Sequence, residues 1–522
     1  MFSRGAGAGD GTFSMEQTKM TTETSLWFKE RIRVEQIERY LGADGGDFIP
    51  DGEIEEKLQC ADTIGQAADK IRVREIIAKS LAIQTLSAQE TAVLLNVRDS
   101  ELWSEMEAAA GAIKKAVYDN RIVTFAPLYL STTCVNSCLY CGLRTGNDSV
   151  SRGTLTLDQT RSEVEVLAGQ IGHKRLVVVY GEHPESDTDY MASTIEAVYS
   201  VNAKIKGGEK NACIRRVNVN ASPLSIEDLR VLDKVGIGTY QVFQETYHKK
   251  TYGAVHPAPS LKSNYLWRLY CMHRAVEAGV DDVGIGALFG LYDWKFEVMG
   301  LLYHAIELES RFGIGPHTIS FPRLEPAENT PFVEQSKYTV SDEDFRKAIT
   351  VIRLAVPYAG MILTARENAQ MRKSLIRLGI TQTDASSKIG LGAYNRAKGE
   401  QQDGTRQQFI LGDTRSLDDV VRELALMGSI TSFCTAGYRC GRTGECIMDS
   451  LRTGAEGKLC KLNAVITFRE WLDDFASPQT KELGEKIIRS EIDEVKVKVP
   501  KVWDTFIDYY NRTAGGERDL YF

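Results

Sequence analysis

"RIVTFAPLYLSTTCVNSCLYC", residues 121–141, couples a continuous apolar, β-branched run to three closely spaced cysteines. The run over 121–130 reads as a strand buried on both faces, since it lacks the alternation of a half-exposed one. Working outward, similar short runs recur: "RLVVVY" (175–180), "RRVNVN" (215–220), "GTYQVF" (238–243), "DDVGIGALFG" (281–290), "HTISFP" (317–322), "YAGMILT" (358–364) and "GITQT" (379–383). Most gaps hold amphipathic helical segments such as "TLDQTRSEVEVLAGQIG" and "SIEDLRVLDKVG", with acidic first turns and terminal glycines. Eight strand-helix units closing on themselves predict an α/β protein, a parallel (β/α)8 barrel with its active site at the C-terminal strand ends. The last run is the least secure strand, so a six-stranded open barrel is the alternative.

The flanks differ in character. Residues 1–20 read as a disordered leader, and 21–115 as an N-terminal helical segment, with apolar positions three and four apart in "VREIIAKSLAIQTLSAQETAVLLNV". The barrel is expected over 116–395. A polar stretch, "RAKGEQQDGTRQQ", then opens a mostly helical, cysteine-bearing extension over 396–522.

Composition narrows the function classes. With 522 residues and 43% hydrophobic content, the chain can bury a large core. A net charge of -8 and the lack of a basic run argue against nucleic acid. No apolar stretch approaches the roughly 20 residues that span a bilayer, so no membrane partner is expected. The N-terminus lacks a signal-peptide core, which makes cytoplasm the default and the ten cysteines reduced thiols; an organellar presequence is the alternative.

Cys134, Cys138 and Cys141 follow the first strand in a C-x3-C-x2-C arrangement. Three thiolates at this spacing can hold three irons of a 4Fe-4S cluster and leave the fourth iron open. The alternatives are a zinc site, which normally needs a fourth protein ligand, or a chance group of buried thiols. Cys60, Cys213 and Cys271 show no ligand spacing and read as small apolar side chains.

The C-x3-C-x2-C motif, with Tyr140 before its last cysteine, resembles the signature of radical S-adenosylmethionine enzymes. "GHKRLVVVYGEHP", "RRVNVNASPL", "GIGTYQVFQETYH", "VDDVGIGALFGLYD", "FGIGPHTISFPRLEPA", "LAVPYAGMILTARE", "SFCTAGYRCGRTGE" and "GERDLYF" further resemble one branch, the HydG family of tyrosine lyases, with the thiamine-pathway ThiH family as sister. The resemblance implies a radical SAM barrel with a biotin/thiamin-synthesis-associated region from about residue 310. It implies a 4Fe-4S cluster, S-adenosylmethionine and an electron donor such as flavodoxin or ferredoxin, with hydrogenase-maturation proteins as candidate partners. The implied reaction cleaves the Cα-Cβ bond of tyrosine to p-cresol and dehydroglycine through a 5'-deoxyadenosyl radical. In HydG, dehydroglycine then yields carbon monoxide and cyanide at a second cluster.

Residue by residue, the resemblance assigns Cys134, Cys138 and Cys141 to the cluster, and Gly181, Glu182 and Arg268 to S-adenosylmethionine. Tyr129 and Arg366 match substrate contacts, with Gln244 and Glu245 as further candidates for the pocket. His304 matches a ligand of an extra iron. Where the family reads "SAGS" this chain has "DASS", which places Asp384 and Ala385 beside the substrate. A carboxylate there opposes a carboxylate ligand unless it has a cationic partner.

The family's accessory cluster uses a C-x2-C pair and a later cysteine. Cys434 matches the first and Cys460 the third, but Gly437 occupies the second position. On a regular helix Cys440 would lie about 240° round and about 9 Å along from Cys434, and Cys446 farther still. Gly437 and Gly441 are poor helix formers, so an unwound turn could bring Cys440 back. Three readings follow: a tyrosine lyase with an impaired accessory cluster, a full maturase with Cys440 as substitute ligand, or a non-catalytic iron-sulfur scaffold.

Overall fold

The computed structural model describes residues 27–28, 30–396, 402–453 and 455–522. The leader expected over 1–20 lies outside the described residues. Eight parallel strands follow in chain order: β1 (Arg121–Ser131), β2 (Arg175–Tyr180), β3 (Arg216–Asn220), β4 (Tyr240–Gln241), β5 (Val283–Gly286), β6 (Thr318–Ser320), β7 (Gly360–Leu363) and β8 (Gln382–Asp384). Each falls within or beside an expected run. Neighbours in sequence are neighbours in the sheet, and β8 pairs back onto β1 through Val123 with Gln382 and Phe125 with Asp384. The barrel is therefore closed with eight strands, and the six-stranded alternative does not apply. Every residue of β1 is buried, as a strand packed on both faces requires.

The helices form where their end signals stand. Thr156 and Gln159 make a reciprocal capping box at the start of Leu157–Glu165. Ser225 caps Ile226–Val235, which stops at Gly236, whose φ of 85° suits a residue without Cβ. The N-terminal helices end with Ser100–Tyr118, whose Leu102, Met106 and Ile113 share one apolar core with Ile349 and Ile352 of the barrel helix Asp342–Ala355.

The extension returns to the barrel. A three-residue strand, β9 (Ile430–Ser432), runs parallel to the first residues of β1, pairing Arg121 with Ile430 and Val123 with Ser432. This strand was not among the sequence expectations. It sets the segment after Ser432 at the N-terminal mouth of the barrel, opposite the loop that carries Cys134. Among the described residues no helix is long and apolar enough to cross a membrane.

Candidate active site

The loop after β1 is held by the end of β2. Gly181 donates its N–H to the Ser131 carbonyl, and Val135 donates to the Glu182 carbonyl at 2.8 Å, so the strand pairing extends into the cysteine loop. A Cβ on Gly181 would stand 2.1 Å from the Thr133 carbonyl oxygen, which explains the glycine of the "GE" pair. Glu182 is thereby carried to the cavity wall, 6% exposed. Asn136 donates to its Oε2 at 2.5 Å, while Oε1 is buried with no hydrogen-bond partner. An unsatisfied buried carboxylate oxygen costs about 1–3 kcal/mol, so it marks a place for a donor from outside the chain.

Cys134, Cys138 and Cys141 line one cavity of about 240 Å³ at the C-terminal mouth, together with Tyr129, Glu245, Arg268 and Arg366. Burial pushes the Cys134 thiol up and the Cys138 thiol up to about 12, and the neighbouring thiols add to both effects. Such thiols become thiolates only against a strong positive centre. A single zinc ion would normally need a fourth protein ligand beside the three thiols. The donor set fits a cluster that takes one thiolate per iron.

Arg268 and Glu245 form one charged group. Arg268 donates to Glu245 Oε1 at 3.2 Å and to the Phe243 carbonyl at 2.5 Å, and Lys262 donates to the same Oε1 at 2.7 Å. Burial opposes the charge on Glu245, but Lys262 and Arg268 outweigh it and hold the carboxyl below its ordinary range. Glu245 also adopts a φ of 72°, costly outside glycine and frequent at functional sites. Gln244 is not among the cavity-lining residues, although Phe243 and Glu245 on either side are. Of the two expected pocket candidates, the structure places Glu245 on the cavity wall and Gln244 off it, as alternation along an extended chain dictates.

On the other side of the cavity, the Tyr129 hydroxyl donates to Gln408 Oε1 at 2.8 Å, and Gln408 Nε2 stands 3.5 Å from the Cys141 sulfur. The Arg366 guanidinium lies 3.4 Å from the Phe409 ring centre and donates to the Arg323 carbonyl. Gln408 and Phe409 come from a segment more than 250 residues after Cys141, and nothing local in the sequence points to them. Asp384 does reach this wall, but its oxygens are taken. Oδ1 accepts from the Ala365 N–H at 2.7 Å, Oδ2 accepts from the Ser387 hydroxyl at 2.5 Å, and Arg372 stands 3.8 Å away. Arg372, itself paired with Asp413, is the cation nearest this acid, and burial outweighs it and pushes the Asp384 carboxyl up.

A second, small cavity lies at the N-terminal mouth, lined by Cys434, Cys460, Gly437, Tyr438, His317 and Arg121 among others. Cys434 and Cys460 share a hydrogen bond; this contact, against the opposing effect of burial, holds Cys434 well below its ordinary range, helped by Arg175 and Arg121. Cys440 is exposed and directs its sulfur at the Phe522 carbonyl, 3.5 Å away, so the turn Ala436–Arg439 does not unwind to bring it in. His304 is also elsewhere. Its Nδ1 bonds the Tyr247 hydroxyl at 2.9 Å and its ring stands among Phe48, Tyr247 and His273. The histidine at this cavity is His317, paired with Asp282 at 2.7 Å.

A closed parallel barrel that delivers three cysteines to its C-terminal mouth is the architecture of radical S-adenosylmethionine enzymes, and residues 128–299 match the Radical SAM superfamily. Residues 320–430 match the Biotin and Thiamin Synthesis associated domain. The chain is 44% identical to a solved HydG, described as a maturase of the [FeFe]-hydrogenase, covering 91% of this chain and 100% of that one with a TM-score of 0.84. It therefore belongs to the HydG family. A second solved HydG, from Carboxydothermus hydrogenoformans, is 35% identical over 88% of this chain and 98% of that one, with a TM-score of 0.71. A 2-iminoacetate synthase of Salmonella typhimurium (strain LT2) is 27% identical over 354 residues, 67% of this chain and 88% of the synthase. A 4Fe-4S cluster and S-adenosylmethionine are the cofactors of this class, and its chemistry requires a small-molecule substrate and a reductant.

Proposed function

We propose that this protein cleaves the Cα-Cβ bond of tyrosine to p-cresol and dehydroglycine. The observation that carries the reading is the presence of Arg366, a half-buried guanidinium over an aromatic face, in the same cavity as the three thiols. When bound, the cluster and S-adenosylmethionine supply one-electron cleavage of the sulfonium and hence a hydrogen-abstracting carbon radical. Cys134, Cys138 and Cys141 would hold three irons. Glu182 Oε1 suits the methionine ammonium, and Arg268, fixed by Glu245, suits the methionine carboxylate.

Arg366 would take the substrate carboxylate, and its neighbour Phe409 keeps the guanidinium planar face covered. Tyr129 and Gln408 bridge the substrate side to Cys141. Phe125, Val177 and Ile362 form an apolar cluster on the cavity floor that excludes water from a reactive intermediate. The resemblance to 2-iminoacetate synthase supports the same cleavage.

The second half of the HydG activity is proposed to be impaired. Two cysteines face the N-terminal cavity, and Gly437 stands where a third would be. A 4Fe-4S cluster ordinarily needs at least three. Reconstituted anaerobically with iron, sulfide, S-adenosylmethionine and a reductant, the protein should convert tyrosine to p-cresol with formation of 5'-deoxyadenosine. Failure to form either product would exclude a lyase.

A further inference from the structure

Glu325 lies on the wall of the C-terminal cavity that Tyr129, Arg366 and Asp384 also line. Among the described residues its half-buried carboxylate has no hydrogen-bond or ion-pair partner, whereas Arg323 and Arg366 beside it are engaged. Arg323 forks onto Glu367 and also bonds Asp342 at 2.8 Å. Arg366 donates to the Arg323 carbonyl and covers Phe409. The position of Glu325 is fixed on both sides: Leu324 donates to the Phe289 carbonyl at 2.9 Å, and Ile410 donates to the Pro326 carbonyl at 2.9 Å. A rigidly placed, uncommitted carboxyl in a cavity is a place for a ligand donor.

Arg366 and Glu325 are near enough to influence each other's charge but form no ion pair. A guanidinium and a carboxyl held apart on one wall complement an α-amino acid, whose carboxylate and ammonium groups carry the opposite charges. Resting on the reading of the substrate as an amino acid such as tyrosine, we propose that Glu325 receives the α-ammonium group of the substrate and takes one proton from it. In this step the N–H bond breaks and the carboxyl O–H bond forms: the ammonium becomes a neutral amine and the carboxylate a carboxylic acid. The amine nitrogen is then free of the extra proton before hydrogen-atom abstraction.

The surroundings suit such a base. Burial, with Glu367 beside it, pushes the Glu325 carboxyl up to about 7, while Arg366 and Arg323 work in the opposite sense. The other titratable or charged groups that line the cavity are Tyr129, Tyr140, Tyr180, Cys134, Cys138, Cys141, Glu182, Glu245, Lys262, Arg268, Arg366 and Asp384. Glu245 is committed to Lys262 and Arg268, and Asp384 to Ala365 and Ser387. General bases work best when their pKa lies near the working pH.

The test compares the wild type with Glu325→Gln and Glu325→Asp, each checked for iron content and folding. Binding is measured for tyrosine and for 3-(4-hydroxyphenyl)propanoate, the same molecule without its amino group. The wild type should favour tyrosine by about 10-fold or more, and Glu325→Gln should bind the two within about 2-fold, as loss of one charge-assisted contact implies. In p-cresol formation, Glu325→Gln should lose about 100-fold in kcat near neutral pH, the size of a general-base contribution, and regain rate as alkali deprotonates the ammonium. Glu325→Asp should recover part of both. Unchanged discrimination in Glu325→Gln, or a pH profile parallel to the wild type, would overturn the proposal. A wild type that discriminates but yields no p-cresol would overturn the lyase reading and leave the assignment of Glu325 standing.

Discussion

Cys440 points its thiol at the main-chain carbonyl of Phe522, 3.5 Å away, and stands outside the cavity that Cys434 and Cys460 line. On the proposed reading, the accessory site is short of a ligand that Cys440, so placed, does not replace. A Cβ on Gly437 would meet only the Arg442 carbonyl oxygen, at an ordinary 3.7 Å, so the missing side chain has room. Reconstituted wild type should hold about four irons per chain and Gly437→Cys about eight, as one and two clusters require. Cys440→Ala should leave the wild-type count unchanged, by iron and sulfide assay.

Glu182 offers one buried oxygen with no partner, beside a second that Asn136 already occupies. Glu182→Gln removes the charge but keeps the shape. S-adenosylmethionine should then bind about 10- to 100-fold more weakly, the value of a charge-assisted contact of about 1.5–3 kcal/mol. Equilibrium binding to the reconstituted protein measures it.

Arg366 combines a planar fork with a stacking face. Lysine keeps the charge but neither property. Arg366→Lys should raise KM for tyrosine by about 10-fold or more with a smaller change in the binding of S-adenosylmethionine, because the lost geometry concerns the substrate carboxylate alone. Steady-state p-cresol kinetics distinguish the two.

Glu297 is buried in the helix Trp294–Phe312, where it accepts hydrogen bonds from the Thr246 hydroxyl and the Tyr247 N–H. Burial raises its carboxyl from an ordinary 4.5 to about 8, so the folded chain holds this proton more tightly than the unfolded one. Its contribution to stability is whole below the ordinary carboxyl range and is lost as the pH rises through about 8. Glu297→Gln, permanently neutral, should gain in stability relative to wild type as pH increases from about 5 to about 9, by up to a few kcal/mol, with a parallel rise in relative Tm. Thermal melts across that range give the difference.

The barrel was legible because its strands are buried on both faces and stand out as apolar runs between capped helices. β1 announces itself over 121–130, and even the weak "GITQT" yields β8, because the chain must close against Phe125. β9 is not legible, since three residues, Ile430–Ser432, carry no period to read. The cysteine triad and the Gly181-Glu182 pair were legible from their spacing to strand ends. Gln408, Phe409, Lys262 and Glu325 were not, because their place in the cavity depends on tertiary contacts. His304 was assigned by resemblance alone, and its burial with Tyr247 and His273 sets it apart from the second cavity, where His317 stands.

The most direct test is the product balance of one anaerobic reaction: p-cresol, 5'-deoxyadenosine and trapped carbon monoxide from tyrosine. A complete first site beside a second site lacking one ligand predicts p-cresol and 5'-deoxyadenosine in comparable amounts with little or no carbon monoxide. Carbon monoxide in proportion to p-cresol, or no p-cresol at all, would contradict it.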